Sequence, residues 1–198
     1  CVLAVSDEAI APVAAQLSLK EKLLVHTAGS VSIEVLKNAA INYGVLYPLQ
    51  SLRREINQIP EIPFLIDGNT KDVKVILNEI AQTLSGSVSF ANDEQRMQMH
   101  LAAVTVNNFT NHLCAVAEQF CTTHHLSFQL LHPLIQETAE RLQKGTADRF
   151  QTGPARRNDL ATIEKHLTLL QNEPQLQLLY KTLSNSILNR YHKKEELS

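Results

Sequence analysis

Residues able to do chemistry concentrate in two parts of this sequence. The first part is a series of short polar turns: Ser6-Asp7, His26-Thr27-Ala28-Gly29-Ser30, Tyr47-Pro48-Leu49-Gln50 and Asp67-Gly68. Each follows an apolar run. In open α/β sheets ligands sit beyond the carboxyl ends of the strands, and small residues with Gly let a ligand come close to the backbone. The second part is a stripe. At helical spacing Arg96, His100, Ala103, Asn107 and Asn111 fall on one face. There a guanidinium could hold a substrate anion, an imidazole could donate a proton, and an amide could orient a carbonyl or imine. Each pattern also has a plainer reading. The turns serve as caps and corners, and the stripe serves as a solvent face or a dimer seam.

Three further motifs carry less. Thr152-Gly153-Pro154 precedes Arg156-Arg157 and Asp159. This suits either anion binding at a helix start or a loop tied down by Arg–Asp pairing. His124-His125 and His132 lie near Cys121, but their spacing matches no metal-ligand pattern, so no metal is expected. The six glycines contain no G-x-G pair and no phosphate-loop motif, so this stretch of chain lacks the usual pyrophosphate grip.

The elements that must position these residues change character along the chain. Residues 1–5, 23–27, 43–47, 64–66 and 87–90 read as strands. Helical patterns lie between them, with Ile10, Val13, Ala14 and Leu17 on one face and Val73, Ile76, Leu77 and Ile80 on another. Alternating strands and helices predict a mostly parallel sheet covered on both faces. From residue 93 onward only helix patterns remain. A long helix runs over 93–121, and Ser127 caps a second. After a loop over 145–154, Asn158 or Asp159 caps a third, and Pro174 sits in the first turn of a fourth. Lys193–Glu196 reads as a solvated end. The expected organisation is a partial dinucleotide-binding domain over 1–91 and an all-helical domain for dimerisation and substrate over 92–198. Cys1-Val2-Leu3-Ala4-Val5 reads as a buried strand already under way, so further residues are expected before it.

Composition narrows the function classes. The 198 residues are 44% hydrophobic and 19% charged, an ordinary globular balance that argues against disorder. A net charge of −2 without a basic stripe argues against a nucleic-acid partner. No apolar run approaches the roughly 20 residues of a membrane helix. Three cysteines without a CxxC fit thiols kept reduced in the cytoplasm.

Four motifs in order carry a resemblance: His26-Thr27-Ala28-Gly29-Ser30; Tyr47-Pro48-Leu49-Gln50; Arg96 with His100-Leu101-Ala102-Ala103-Val104 and Asn108-Phe109; and Thr152-Gly153-Pro154 with Arg157, Asp159 and His166-Leu167. The set resembles a bacterial family of Rossmann-like NADP oxidoreductase-type proteins with a C-terminal helical domain. That family is similar to pyrroline-carboxylate and ketopantoate reductases and, more distantly, to hydroxyacid dehydrogenases of the 6-phosphogluconate type. The resemblance implies a Rossmann domain, a helical dimerisation domain and a cofactor cleft between them. It implies NADP or NAD held by Ser6, Asp7, His26, Thr27, Ala28, Gly29 and Ser30. His100 and Asn107 would be catalytic, and Arg96, Tyr47 and Gln50 would bind a small C=O or C=N substrate. A non-catalytic dimeric ligand-binding or interaction protein of the same fold is the alternative. Two departures separate the chain from its relatives. Tyr47 stands where the family turn usually carries His. Ala103 and Val104 stand four residues before Asn107 and Asn108, where the dehydrogenases carry a catalytic Lys.

Overall fold

The computed structural model describes residues 1–51 and 60–192, and the expected solvated end over 193–196 lies outside the described residues. The chain divides into two compact units, Cys1–Phe109 and Thr110–Ser198.

The first unit is built on five strands: β1 (Val2–Leu3), β2 (Lys20–His26), β3 (Ala40–Pro48), β4 (Phe64–Gly68) and β5 (Val88–Phe90), in spatial order β1-β2-β3-β4-β5. Side chains alternate across a strand, and β2 shows the consequence. Leu24 packs on one face with Leu3, Ile10, Ala14 and Leu36. Its neighbour Val25 packs on the other with Leu46, Ile66, Val73, Leu77 and Ala81. Helix α1 (Asp7–Ala14) and a short 3-10 turn (Ile33–Leu36) supply the first layer, and α2 (Lys71–Leu84) supplies the second. Thr70 starts α2 by accepting from the Val73 amide at 3.2 Å. Val73, Leu77 and Ala81, four residues apart, are its buried stripe. A Cβ at Gly44 would lie 2.8 Å from Leu77 and 2.3 Å from the Asp67 carbonyl. Glycine there is what lets α2 seat against β3 and β4.

Strands β1, β2 and β3 run parallel, as do β4 and β5, but β3 and β4 pair antiparallel. The expected mostly parallel sheet is therefore present, with one reversal. That reversal corrects the placement of Asp67-Gly68. They sit opposite Val45 and Gly44, away from the carboxyl end of β3. Asp67 there is paired with Lys74 at 2.7 Å.

Helix α3 (Asp93–Ala103) opens on a capping box in which Asn92 and Gln95 satisfy one another's backbone amides. It passes into a π-helical turn, Val104–Phe109. No strand occurs among the described residues after Phe90.

The second unit is helical: α4 (Thr110–Thr123), a 3-10 turn (Phe128–Leu131), α5 (His132–Leu142), α6 (Ala147–Phe150), α7 (Leu160–Leu169) and α8 (Pro174–His192). Asp159 caps α7 through the Thr162 amide at 3.0 Å, and Pro174 opens α8. The expected loop over 145–154 contains α6. Arg190 grips Asp148 of that helix at 2.7 and 2.9 Å, and Tyr191 donates to it at 2.8 Å. Few apolar side chains of this unit are buried, among them Cys121, Ala155, Ile163 and Leu170, whereas Leu130 is 79% exposed and Leu178 66% exposed. Among the described residues no helix is long and apolar enough to cross a membrane.

Candidate active site

The carboxyl ends of β1, β2 and β3 lie side by side, because the three strands are parallel and in register at Leu3, His26 and Val45. Ser6 and Asp7 follow β1, the turn that begins at His26 and runs to Ser30 ends β2, and Tyr47 is the penultimate residue of β3. Asp7 accepts a hydrogen bond from the Ser30 hydroxyl, which ties the first turn to the second. Ser6 sits at the N-cap of α1, is exposed, and makes no side-chain cap bond.

His26 is fully buried. Its Nδ1 accepts from the Ala28 amide at 3.2 Å, so the neutral ring carries its proton on Nε2. Among the described residues nothing is aligned to accept that proton. Burial and then the nearby Arg96 guanidinium push the His26 pKa down to about 4; the Ser32 backbone and the carboxylates of Asp93 and Asp7 offset this only partly. His26 is a neutral packing residue under the turn.

Arg96 lies beside it and is 1% exposed. Its Nη2 donates to the Val31 carbonyl and to Asp93, the latter at 2.7 Å. Asp93 also accepts from the Ile33 amide at 3.3 Å. Burial raises the Asp93 pKa, but bonds from Ser32, Arg96 and Ile33 together with the Arg96 charge outweigh it and hold the carboxyl below its ordinary value. The sequence placed Arg96 on a substrate anion. In the structure it is enclosed: Nη2 is held by the Val31 carbonyl and Asp93, while Nε and Nη1 are buried with no partner among the described residues.

His100, one turn further along α3, is half-buried and meets Tyr47: the phenol oxygen and His100 Nδ1 are 2.9 Å apart. The two rings meet edge-on, with centroids 6.0 Å apart. Gly29 completes the contact. A Cβ on Gly29 would lie 2.8 Å from His100 Nδ1 and 2.8 Å from the Tyr47 ring. The absent methyl is thus filled by the two rings, and the β2 turn, the β3 end and α3 converge on one point. Burial, followed by the Asp7 charge, raises the Tyr47 pKa, and Arg96 acts the other way. The phenol keeps its proton at neutral pH.

Tyr47 and His100 line a cavity of about 500 Å³ together with Gln50, Met99, Asn107 and Asn108. The π turn accounts for both asparagines. A π turn takes more residues per revolution than an α turn, so the regular spacing assumed for the stripe no longer holds beyond Ala103. The structure brings His100, Asn107, Tyr47, Gln50 and Gly29 to one place. It keeps Arg96 and His26 beneath the surface, and it leaves Ser6, Asp7, Thr27 and Ser30 along the strand ends. The Asp93–Arg96 pair escaped the sequence reading, although its i,i+3 spacing was a visible signal.

Residues 62–187 match the family model described as a domain of unknown function, DUF2520. The chain belongs to that family. A Bacteroides fragilis protein provisionally named an NADP oxidoreductase is 38% identical; the match covers 96% of this chain and 74% of that one, with a TM-score of 0.87. A Thermotoga maritima protein is 25% identical over 96% of this chain and 78% of its own, with a TM-score of 0.78. The 1-pyrroline-5-carboxylate reductase of Streptococcus pyogenes covers 95% of this DUF2520 chain and 75% of its own at a TM-score of 0.54; at 9% identity it shares the fold alone. No curated protein matches the sequence. The Rossmann-like fold and the kind of family read from the four motifs are those of the DUF2520 chain.

Proposed function

We propose that the protein is an NAD(P)-dependent oxidoreductase acting on a small C=O or C=N substrate. The observation that carries this reading is the Tyr47–His100 pair at the mouth of the cavity, packed on the turn that ends β2. The B. fragilis relative supports the cofactor class.

The strand ends suit one part of such a cofactor. Exposed Ser6, half-buried Thr27 and Ser30, and the turn backbone offer neutral hydrogen-bonding groups, the chemistry a nicotinamide carboxamide needs. They do not suit a pyrophosphate, since Asp7 places a carboxylate there and the sequence has no G-x-G turn. Ser6, Asp7, Thr27 and Ser30 would therefore border the nicotinamide end, with Ala28, Gly29 and His26 shaping the turn beneath. When bound, the nicotinamide supplies or accepts the hydride. His100 supplies the proton to the substrate oxygen or nitrogen, Asn107 holds that atom by its amide, and Gln50 borders the substrate.

Fluorescence titration of the whole protein with NADPH and with NADH tests this reading. Saturable binding of either is expected, and binding of neither overturns it. The leucines that the helical unit leaves exposed support a homodimer through that unit, and sedimentation showing monomer at micromolar concentration would count against it. The free thiols of Cys1, Cys114 and Cys121 suit the cytoplasm.

A further inference from the structure

We propose that Tyr47 is a positioning residue that sets the tautomer of His100, so that His100 presents its proton to the cavity from Nε2. This rests on the reading of His100 as the proton source. It departs from the role implied for Tyr47 by resemblance, which was contact with the substrate.

The geometry carries the argument. The phenol oxygen and His100 Nδ1 are 2.9 Å apart, so one proton lies between them. Either the phenol donates to a bare Nδ1, or Nδ1–H donates to the phenol oxygen. In the first case the neutral ring must carry its proton on Nε2. In the second, Nε2 is bare and can only accept. A nitrogen of an imidazole takes its protonation state from the bond that the other nitrogen makes. A phenol O–H is more acidic than a neutral imidazole N–H, and a bare imidazole nitrogen accepts better than a phenol oxygen, so the first arrangement is favoured; burial beside Asp7 keeps the phenol protonated. The ring itself lines the cavity.

Gly29 makes the arrangement rigid. Its missing Cβ is the space in which Nδ1 and the Tyr47 ring meet, 2.8 Å from either. An alanine there pushes the two rings apart and leaves Nδ1 without its donor. In the reduction, the hydride goes to the substrate carbon and the Nε2 proton goes to the substrate oxygen or nitrogen, while the Tyr47 phenol proton passes to Nδ1, so the ring stays neutral and no imidazolate forms. Nε2 then takes a proton from water as Nδ1 returns its proton to the phenolate oxygen, which restores the starting tautomer.

The test is nitrogen NMR of the protein labelled with 15N-histidine, recorded at about pH 9, where an ordinary imidazole is neutral. For the unaltered protein a protonated Nε2 and a bare Nδ1 are expected at His100. In Tyr47→Phe and in Gly29→Ala the two tautomers should mix. A proton on Nδ1 in the unaltered protein overturns the proposal, and so does a His100 spectrum that Tyr47→Phe leaves unchanged. This readout needs neither cofactor nor substrate, so it stands even if the oxidoreductase reading fails. With NADPH and 1-pyrroline as a probe imine, Tyr47→Phe should lower kcat about 10-fold at constant KM. Combined with His100→Ala it should cost nothing beyond His100→Ala alone. A further loss in the double variant means that the phenol itself acts on the substrate, and overturns the positioning role.

Discussion

Two histidines stand at the same turn and have opposite fates. His26 lies beneath it, fully enclosed, with one nitrogen satisfied by Ala28 and the other without an aligned partner among the described residues. His100 lies on its far side, half-open, with one nitrogen held by Tyr47 and the ring lining a cavity. Arg96 and Asp93 belong with the first, Asn107 and Gln50 with the second. The contrast shows that residue type does not decide which polar group does chemistry. A group is available for reaction when it has a fixed partner on one side and open space on the other. A group closed on all sides only holds the fold together.

If that division is right, the largest effect belongs to acid and to His26. Its pKa is about 4 in the folded protein against an ordinary 6.5. Above pH 6.5 the ring is neutral in folded and unfolded chains alike, and it contributes no slope. As the pH falls from 6.5 towards 4 the unfolded chain takes up a proton that the folded one refuses. Stability should therefore drop, by about 3 kcal/mol over the whole window. Urea midpoints measured across that window should fall, and His26→Gln should flatten the fall. A curve that His26→Gln leaves unchanged would put His26 on the open side of the division.

The next effect is on rate. His100→Ala should lower turnover about 100-fold, equivalent to ~2.7 kcal/mol in the barrier, with the melting temperature nearly unchanged. Loss of stability without loss of turnover would move His100 to the packing side.

The third is smaller and falls on folding. Arg96→Met removes a buried cation together with its bonds to Val31 and Asp93. Breaking a fully buried pair costs about 3–5 kcal/mol. Here Asp93 keeps 38% of its side chain exposed and can turn to water, so roughly 2 kcal/mol is expected in chemical denaturation. A substrate-binding Arg96 would instead raise KM and leave the denaturation curve in place.

The layered architecture was legible because its signals are local. Apolar runs marked all five strands, three of them closed by Gly, Asn or Pro, and Asp159 and Pro174 marked helix starts that the structure contains. The direction of β4 was not legible. An apolar triplet such as Phe64-Leu65-Ile66 has the same alternation in either direction, and only its pairing with β3 fixes which way it runs. The stripe was legible as a spacing but not as a set of environments. Arg96 and His100 are one turn apart on α3, yet one is sealed by the 31–33 backbone and the other faces a cavity. That distinction depends on chain segments some 65 residues distant in sequence. The π turn was invisible for a related reason, since helix spacing is read from the sequence by assuming that it never changes.

The contact at Gly29 has a consequence for the history of the sequence. The room for one methyl group is shared between a turn, a phenol and an imidazole. None of these three positions is free to change size alone. A lineage that gained a side chain at position 29 would need a smaller group at 47 or at 100 to accommodate it. A smaller side chain at 47 would loosen the constraint on 29. Across related sequences, positions 29, 47 and 100 should therefore vary as a linked set, with bulk lost at one where it is gained at another.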